Sequence, residues 1–164
     1  MGLRMSSLYY HFPSKQDLLA EIMTRSMQDL IATVERAVAA AKGDGPEQEL
    51  RAAIRGHILF HAERRKEAFV LDNELRGLKP GGRDLVIKLR DRYEQIFADI
   101  LRDGALQGGL RIRDLRLTVF ALLAMCTGVA VWYQPGGRLS LKQIADIYTD
   151  LALHGVLATS GREP

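Results

Sequence analysis

Cysteine is almost missing from this chain. Its 164 residues include one, Cys126, set in an apolar run. One cysteine can form neither an intrachain disulfide framework nor a cysteine zinc cluster. Its scarcity suits a reducing compartment, and a cytoplasmic location is expected. Period-two alternation is also missing, so no strand is expected. Without strands, a glycine-rich phosphate loop has no frame, and Gly104 and Gly108-Gly109 match no phosphate-binding fingerprint. No serine or cysteine nucleophile has an evident partner. An enzyme is therefore not expected, and no cofactor is implied. Residues 1–12 lack the apolar core of a secretory signal. Only one long uncharged run exists, Leu117 to Gly137. It contains Thr118, Thr127 and Gly128, and no basic cluster follows it. It reads as a core or interface helix rather than a membrane span, so no membrane partner is expected. Internal repeats and low-complexity linkers are absent.

What is present is helical. The composition, 47% hydrophobic and 26% charged, is that of a globular protein of one domain or one domain with an appendage. A net charge of +3 and a pI near 9.2 permit a nucleic-acid partner without requiring one. Ser14 suits an N-cap, with Asp17 three residues on. The helix it opens has Leu18, Leu19, Ile22, Met23, Leu30, Ile31, Val34 and Val38 on its apolar face. Gly43-Asp44-Gly45-Pro46 ends it. A second helix is predicted over about 47–65, with Leu50, Ile54, His57, Ile58 and His61 on one side. A short helix follows over about 68–76. Lys79-Pro80-Gly81-Gly82 reads as a turn before a long amphipathic helix, about 83–103, closed by Gly104 and Gly108-Gly109. Asp114 caps the apolar helix, expected to reach Tyr133. Ser140-Leu141-Lys142-Gln143 is a capping box for a last helix ending near residue 157. The fold class is all-α.

Chemistry is concentrated at the N-terminus. In Arg4–His11, Leu8 and Phe12 share a face at i, i+4 and can pin a short helix. Ser6, Ser7, Tyr9, Tyr10 and His11 occupy the rest. Such a helix has the donors and stacking groups that major-groove reading needs. Lys15, in the first turn of the next helix, sits where free backbone N–H groups favour a phosphate. By composition alone, Tyr9-Tyr10-His11-Phe12 fits an aromatic core segment as well.

The order of these residues is specific. From Gly2 to Leu19, with Leu8-Tyr9-Tyr10-His11-Phe12, Ser14-Lys15 and Leu18-Leu19 at fixed spacing, the chain resembles the TetR family of bacterial transcriptional repressors. The stretch resembles the end of their helix-turn-helix domain. The resemblance implies that Arg4, Ser6, Ser7, Tyr9, Tyr10 and His11 contact operator DNA and that Lys15 holds a phosphate. It implies a partial helix-turn-helix domain over 1–42, with a recognition helix at about 4–11 and a connecting helix from 15. A ligand-binding and dimerisation domain then covers 46–159. It also implies two helices ahead of Gly2, which this sequence lacks, so weak operator binding by residues 1–164 is expected. A ligand-binding and dimerisation module that does not bind DNA alone is the alternative.

The C-terminal stretch Trp132-Tyr133-Gln134-Pro135-Gly136-Gly137-Arg138-Leu139-Ser140 resembles regulators of lipid and steroid catabolism that sense acyl-CoA thioesters. A small-molecule effector, of acyl-CoA type, is thereby implied. His57 and His61, one turn apart, with Tyr93, Phe97, Phe120 and Trp132, are the effector-pocket residues to test. The histidine pair lacks a third ligand at matching spacing, so no metal is expected. Trp132 fits a core position equally well. Arg64-Arg65-Lys66 could meet a CoA phosphate or simply face solvent. The small residues Ala121, Ala124 and Gly128 allow close helix approach, and with the last helix they form the expected homodimer face.

Overall fold

A computed structural model describes residues 14–156, and within them every regular element is helical. The helices are α1 (Lys15–Ala40), α2 (Pro46–Glu63), α3 (Arg65–Asn73), α4 (Pro80–Leu106), α5 (Leu115–Thr127), α6 (Val129–Trp132) and α7 (Leu141–Val156), with a 3-10 turn at Leu75–Gly77. The core is where α1, α2 and α4 meet. Met23, Leu30 and Val34 from α1 pack with Leu50, Ile54 and Ile58 from α2 and Val86, Phe97 and Leu101 from α4. Burying each such side chain contributes about 1.5–3 kcal/mol before entropy is counted.

The helix ends follow local chemistry. Ser14 Oγ accepts from Asp17 N at 3.2 Å and donates to the Asp17 carboxylate at 2.6 Å. Lys79 Nζ adds a hydrogen bond to Ser14 Oγ at 3.1 Å and an ion pair to Asp17 at 3.0 Å, tying the first turn of α1 to the start of α4. The Ser14 hydrogen bond, followed by Lys79, lowers the Asp17 pKa. Gly45, at φ 98°, precedes Pro46 at the first position of α2, where the missing N–H costs nothing. The capping box of α7 is complete: Gln143 N donates to Ser140 Oγ at 3.3 Å, and Ser140 N donates to Gln143 Oε1 at 2.9 Å.

Several boundaries differ from expectation. Pro80-Gly81-Gly82 is the first turn of α4 rather than a loop, because proline suits a helix's first turn. Gly104 does not end α4, which continues to Leu106. A Cβ at Gly104 would lie 2.4 Å from Leu110 Cδ1, so this glycine serves close packing. The turn is made at Gly108, at φ 76°. The short helix begins at Arg65, three residues early, and ends at Asn73. The apolar helix is interrupted at Gly128 into α5 and α6.

Outside the core, α7 is fastened to α2 by Arg51–Asp150 at 2.8 Å and by Arg55–Asp146. Both pairs are solvent-exposed and contribute little beyond orientation.

Candidate functional site

Two histidines stand among the buried side chains of the bundle, where most of the other buried residues are apolar. His57 and His61 point inward from α2 and are 1% and 3% exposed. Their rings stack with centroids 4.2 Å apart. Nδ1 of His57 lies 2.6 Å from the Tyr93 hydroxyl, and its Nε2 lies 3.0 Å from Thr127 Oγ1. Phe97 meets the same ring edge-on at 6.3 Å.

Burial determines the protonation states. It pushes His57 well below its ordinary pKa, with the neighbouring His61 adding to the effect. Burial lowers His61 to about 4. The Tyr93 phenol is raised well above its ordinary value, by burial first and Cys126 second. At neutral pH the cluster therefore holds two neutral imidazoles and a protonated phenol. Either neutral tautomer satisfies both contacts: Tyr93 O–H donates to His57 Nδ1 while Nε2–H donates to Thr127 Oγ1, or Nδ1–H donates to the Tyr93 oxygen while the Thr127 hydroxyl donates to Nε2. His61 is different: its Nδ1 is buried and has no hydrogen-bond partner among the described residues. Such an orphan costs about 1–3 kcal/mol.

A cavity of about 140 Å³ opens against these rings. Met27 and Leu30 of α1, Leu71 of α3 and Leu123 of α5 supply its apolar walls. His57, His61, Tyr93 and Thr127 supply the polar ones. Asp72, Arg90 and Glu94 line its more exposed side. The Arg90 guanidinium donates to the Leu71 carbonyl. Glu94 is raised by burial first and by Asp91 second, against Arg116 and Arg90.

Four of the six effector-pocket residues read from the sequence thus meet: His57, His61, Tyr93 and Phe97. The other two lie elsewhere. Phe120 is 40% exposed on α5, beneath the Arg116 guanidinium at 5.3 Å. It lines a separate groove with Arg102 and Val119. Trp132 is 49% exposed at the end of α6, 6.2 Å from the Tyr148 ring. Neither packs in the core: both side chains are solvent-exposed. The basic run is largely engaged in the fold. Arg64 pairs with Asp29 at 2.6 Å, and Arg65 Nε donates to the Ala130 carbonyl at 2.8 Å. Lys15 is exposed in the first turn of α1. Arg4, Ser6, Ser7, Tyr9, Tyr10 and His11 lie outside the described residues.

Arg90 and Thr127 join the site without having been singled out. Arg90 shares a helix face with Tyr93 and Phe97 at i, i+3 and i+7, a readable signal. Thr127 has none, since its partner lies 70 residues earlier.

A larger cleft, about 620 Å³, separates α5 from α7. Leu117, Ala121, Met125 and Leu151 line it, with Arg111, Arg113 and His154 also present. Leu117 is 66% and Leu151 60% exposed.

Comparison with known proteins gives the frame for these sites. The family model of the tetracyclin repressor-like C-terminal domain matches residues 43–156. The HTH-type transcriptional repressor KstR2 of Mycolicibacterium smegmatis is 25% identical over 163 residues, covering 98% of this chain and 78% of the relative. Among solved structures, the TetR family regulator PfmR from Thermus thermophilus is 32% identical, with a TM-score of 0.83, over 93% of this chain and 82% of that one. AibR, solved with isovaleryl coenzyme A and operator DNA, is 27% identical, with a TM-score of 0.80, over 89% of this chain and 78% of that one. The family match spans most of the helical bundle, including the histidine cluster and the α5–α7 cleft, and the chain belongs to the TetR family of transcriptional regulators.

Proposed function

We propose that this chain is an effector-responsive repressor subunit. The cavity beside His57 and His61 receives an acyl-CoA-type effector, and the α5–α7 face forms a homodimer. The observation that carries this reading is the cavity itself, lined by the polar side chains of His57, His61, Tyr93 and Thr127. The likeness to AibR, which was solved with an acyl-CoA and operator DNA, supports the effector class.

The dimer reading rests on surface chemistry. The segment Leu115–Trp132 has a mean hydropathy of 1.8, yet only 22% of it is buried. Leu117, Phe120, Ile147 and Leu151 stand exposed on α5 and α7. The exposed small residues Ala121 and Ala124 allow another helix to approach. A two-fold pairing of α5 and α7 would cover this face as a four-helix bundle.

The route from effector to DNA runs through α1. Met27 and Leu30 of α1 wall the cavity. Lys15, twelve residues before Met27 on the same helix, is about 18 Å away at 1.5 Å per residue. A ligand that fills the cavity displaces α1 and with it the attached DNA-reading segment. Arg4, Ser6, Ser7, Tyr9, Tyr10 and His11 contact operator DNA in this account, and Lys15 holds a phosphate. The ligand acts only through its different affinity for the two arrangements.

The test is calorimetric titration of the chain with isovaleryl-CoA and with CoA alone. Saturable binding of the thioester that exceeds binding of CoA supports the reading. Equal binding of both, or of neither, opposes it.

A further inference from the structure

The walls of the histidine cavity are not equally secure. α1 and α4 each bury six residues, and α2 buries nine. α5 buries three, and its outer face is the one assigned above to subunit pairing. α3 supplies Leu71 and Asp72 to the lining, yet it buries only Ala68 and Leu71. Leu71 is therefore both cavity wall and half of the anchor of its own helix. Phe69, on the same helix, is 64% exposed. The more exposed lining residues also lie at the α3–α4 seam, Asp72 on one side and Arg90 and Glu94 on the other.

α3 is set off at both ends. Arg64, at φ −112° and ψ 44°, breaks the helix between α2 and α3. The 3-10 turn Leu75–Gly77 follows at the other end. Side-chain hydrogen bonds supply much of the remaining hold. Ser26 Oγ of α1 donates to the Glu67 carboxylate at 3.1 Å. Arg64 pairs with Asp29, and Arg65 Nε donates to the Ala130 carbonyl. The Arg90 guanidinium donates to the Leu71 carbonyl in the last turn of α3, where a cation meets the helix's free carbonyls. Water can replace each of these bonds at small net cost. Moving α1, α2 or α4 would instead expose the apolar core.

We propose that α3 is the gate of this cavity. It swings on Arg64 and the Leu75–Gly77 turn, parts from α4 along the Arg90–Leu71 seam, and is held shut by Arg90 and by the Ser26–Glu67 hydrogen bond. Arg90 and Glu67 are positioning residues in this account. The proposal rests on the effector-pocket reading only for what enters; the opening itself belongs to the free chain. A gate sets rates more than affinity, so loosening it speeds entry and exit together.

Thiol labelling of Met27→Cys reads the opening without a ligand. Met27 lines the cavity and is 3% exposed, whereas native Cys126 is 2% exposed and is not part of the lining, so one chain carries probe and control. With iodoacetamide in native buffer, the Met27→Cys thiol should react at least about tenfold faster than Cys126. Adding Arg90→Met or Glu67→Ala should speed it a further roughly three- to tenfold and leave Cys126 unchanged. A substitution that merely loosened the fold would speed both thiols alike. Ser26→Ala removes the same hydrogen bond if Glu67→Ala fails to fold, and amide exchange of the wild-type chain should show 65–74 opening ahead of α2 and α4 if Met27→Cys does. Stopped-flow binding of isovaleryl-CoA to Glu67→Ala should show association and dissociation raised by one factor, with Kd within about twofold of wild type. Equal labelling of the two thiols, or variants that speed both alike, overturns the gate. So does isovaleryl-CoA binding to Glu67→Ala at the wild-type association rate, which leaves the effector-pocket reading standing. Labelling as expected with no isovaleryl-CoA binding supports the gate and overturns that reading instead.

Discussion

The two openings in this bundle differ in a way that size does not capture. The α5–α7 cleft is more than four times the volume of the histidine cavity, about 620 against 140 Å³. Yet half of its lining residues are leucine, alanine and methionine, several already facing solvent, with Arg111, Arg113 and His154 beside them, and among the described residues no orphaned buried atom lines it. The smaller cavity is lined by groups the fold has buried at a cost: two neutral imidazoles, a phenol and a threonine hydroxyl. An exposed apolar face calls for a protein surface to cover it. A cavity lined by polar side chains within an apolar core suits a small molecule that can hydrogen-bond there.

Substitutions at each opening separate these two roles. The largest effect concerns the outer face. Leu117→Glu combined with Leu151→Glu places four carboxylates in a two-fold interface and should raise the dimer dissociation constant by about a thousandfold or more. Sedimentation equilibrium reads this directly, and an unchanged dimer would move the interface elsewhere.

Next is the pH response of the inner cluster. In the unfolded chain both histidines titrate near 6.5, whereas folded His61 titrates at about 4 and His57 lies well below its ordinary value. Between those limits the unfolded state binds more protons. Their contribution is therefore fully present above pH 6.5 and is lost as pH falls toward 4. The slope should approach about 1.4 kcal/mol per pH unit for His61, or about 2 kcal/mol by pH 5, with His57 acting in the same direction. Urea denaturation from pH 7 to pH 5 checks it. His57→Leu/His61→Leu should flatten the curve if it folds.

A smaller effect is expected from Tyr93→Phe. Removing the hydroxyl leaves His57 Nδ1 buried without its 2.6 Å partner. Stability should fall by about 1–3 kcal/mol, with dimer affinity unchanged. The smallest is Ser140→Ala at the α7 capping box, about 1 kcal/mol by thermal or urea unfolding.

The same contrast explains what could be read before folding. Local signals carried well. Ser14, Asp114 and Ser140 all cap helices as their spacing implies, because caps depend only on residues three or four apart. His57 and His61 share a face for the same reason, and Tyr93 and Phe97 lie on the buried side of α4. Long-range facts carried poorly. Thr127 meets His57 across 70 residues, and nothing near either residue announces it. Phe120 and Trp132 are large and apolar, which describes core and interface alike. Only the packing of α5 and α6 shows that they face outward. Gly104 is another such case: a glycine that permits Leu110 to approach looks in sequence like a helix stop.

On the proposed reading, the inner cavity binds effector while the outer face pairs subunits. Native mass spectrometry of two variants with isovaleryl-CoA tests it most directly. Leu123→Trp, which fills the cavity, should remain a dimer and lose the ligand mass. Leu117→Glu with Leu151→Glu should appear as a monomer that still carries one ligand. A cavity-filled dimer that keeps its full ligand complement, or a charged-face variant that remains a dimer and loses ligand, would contradict the claim.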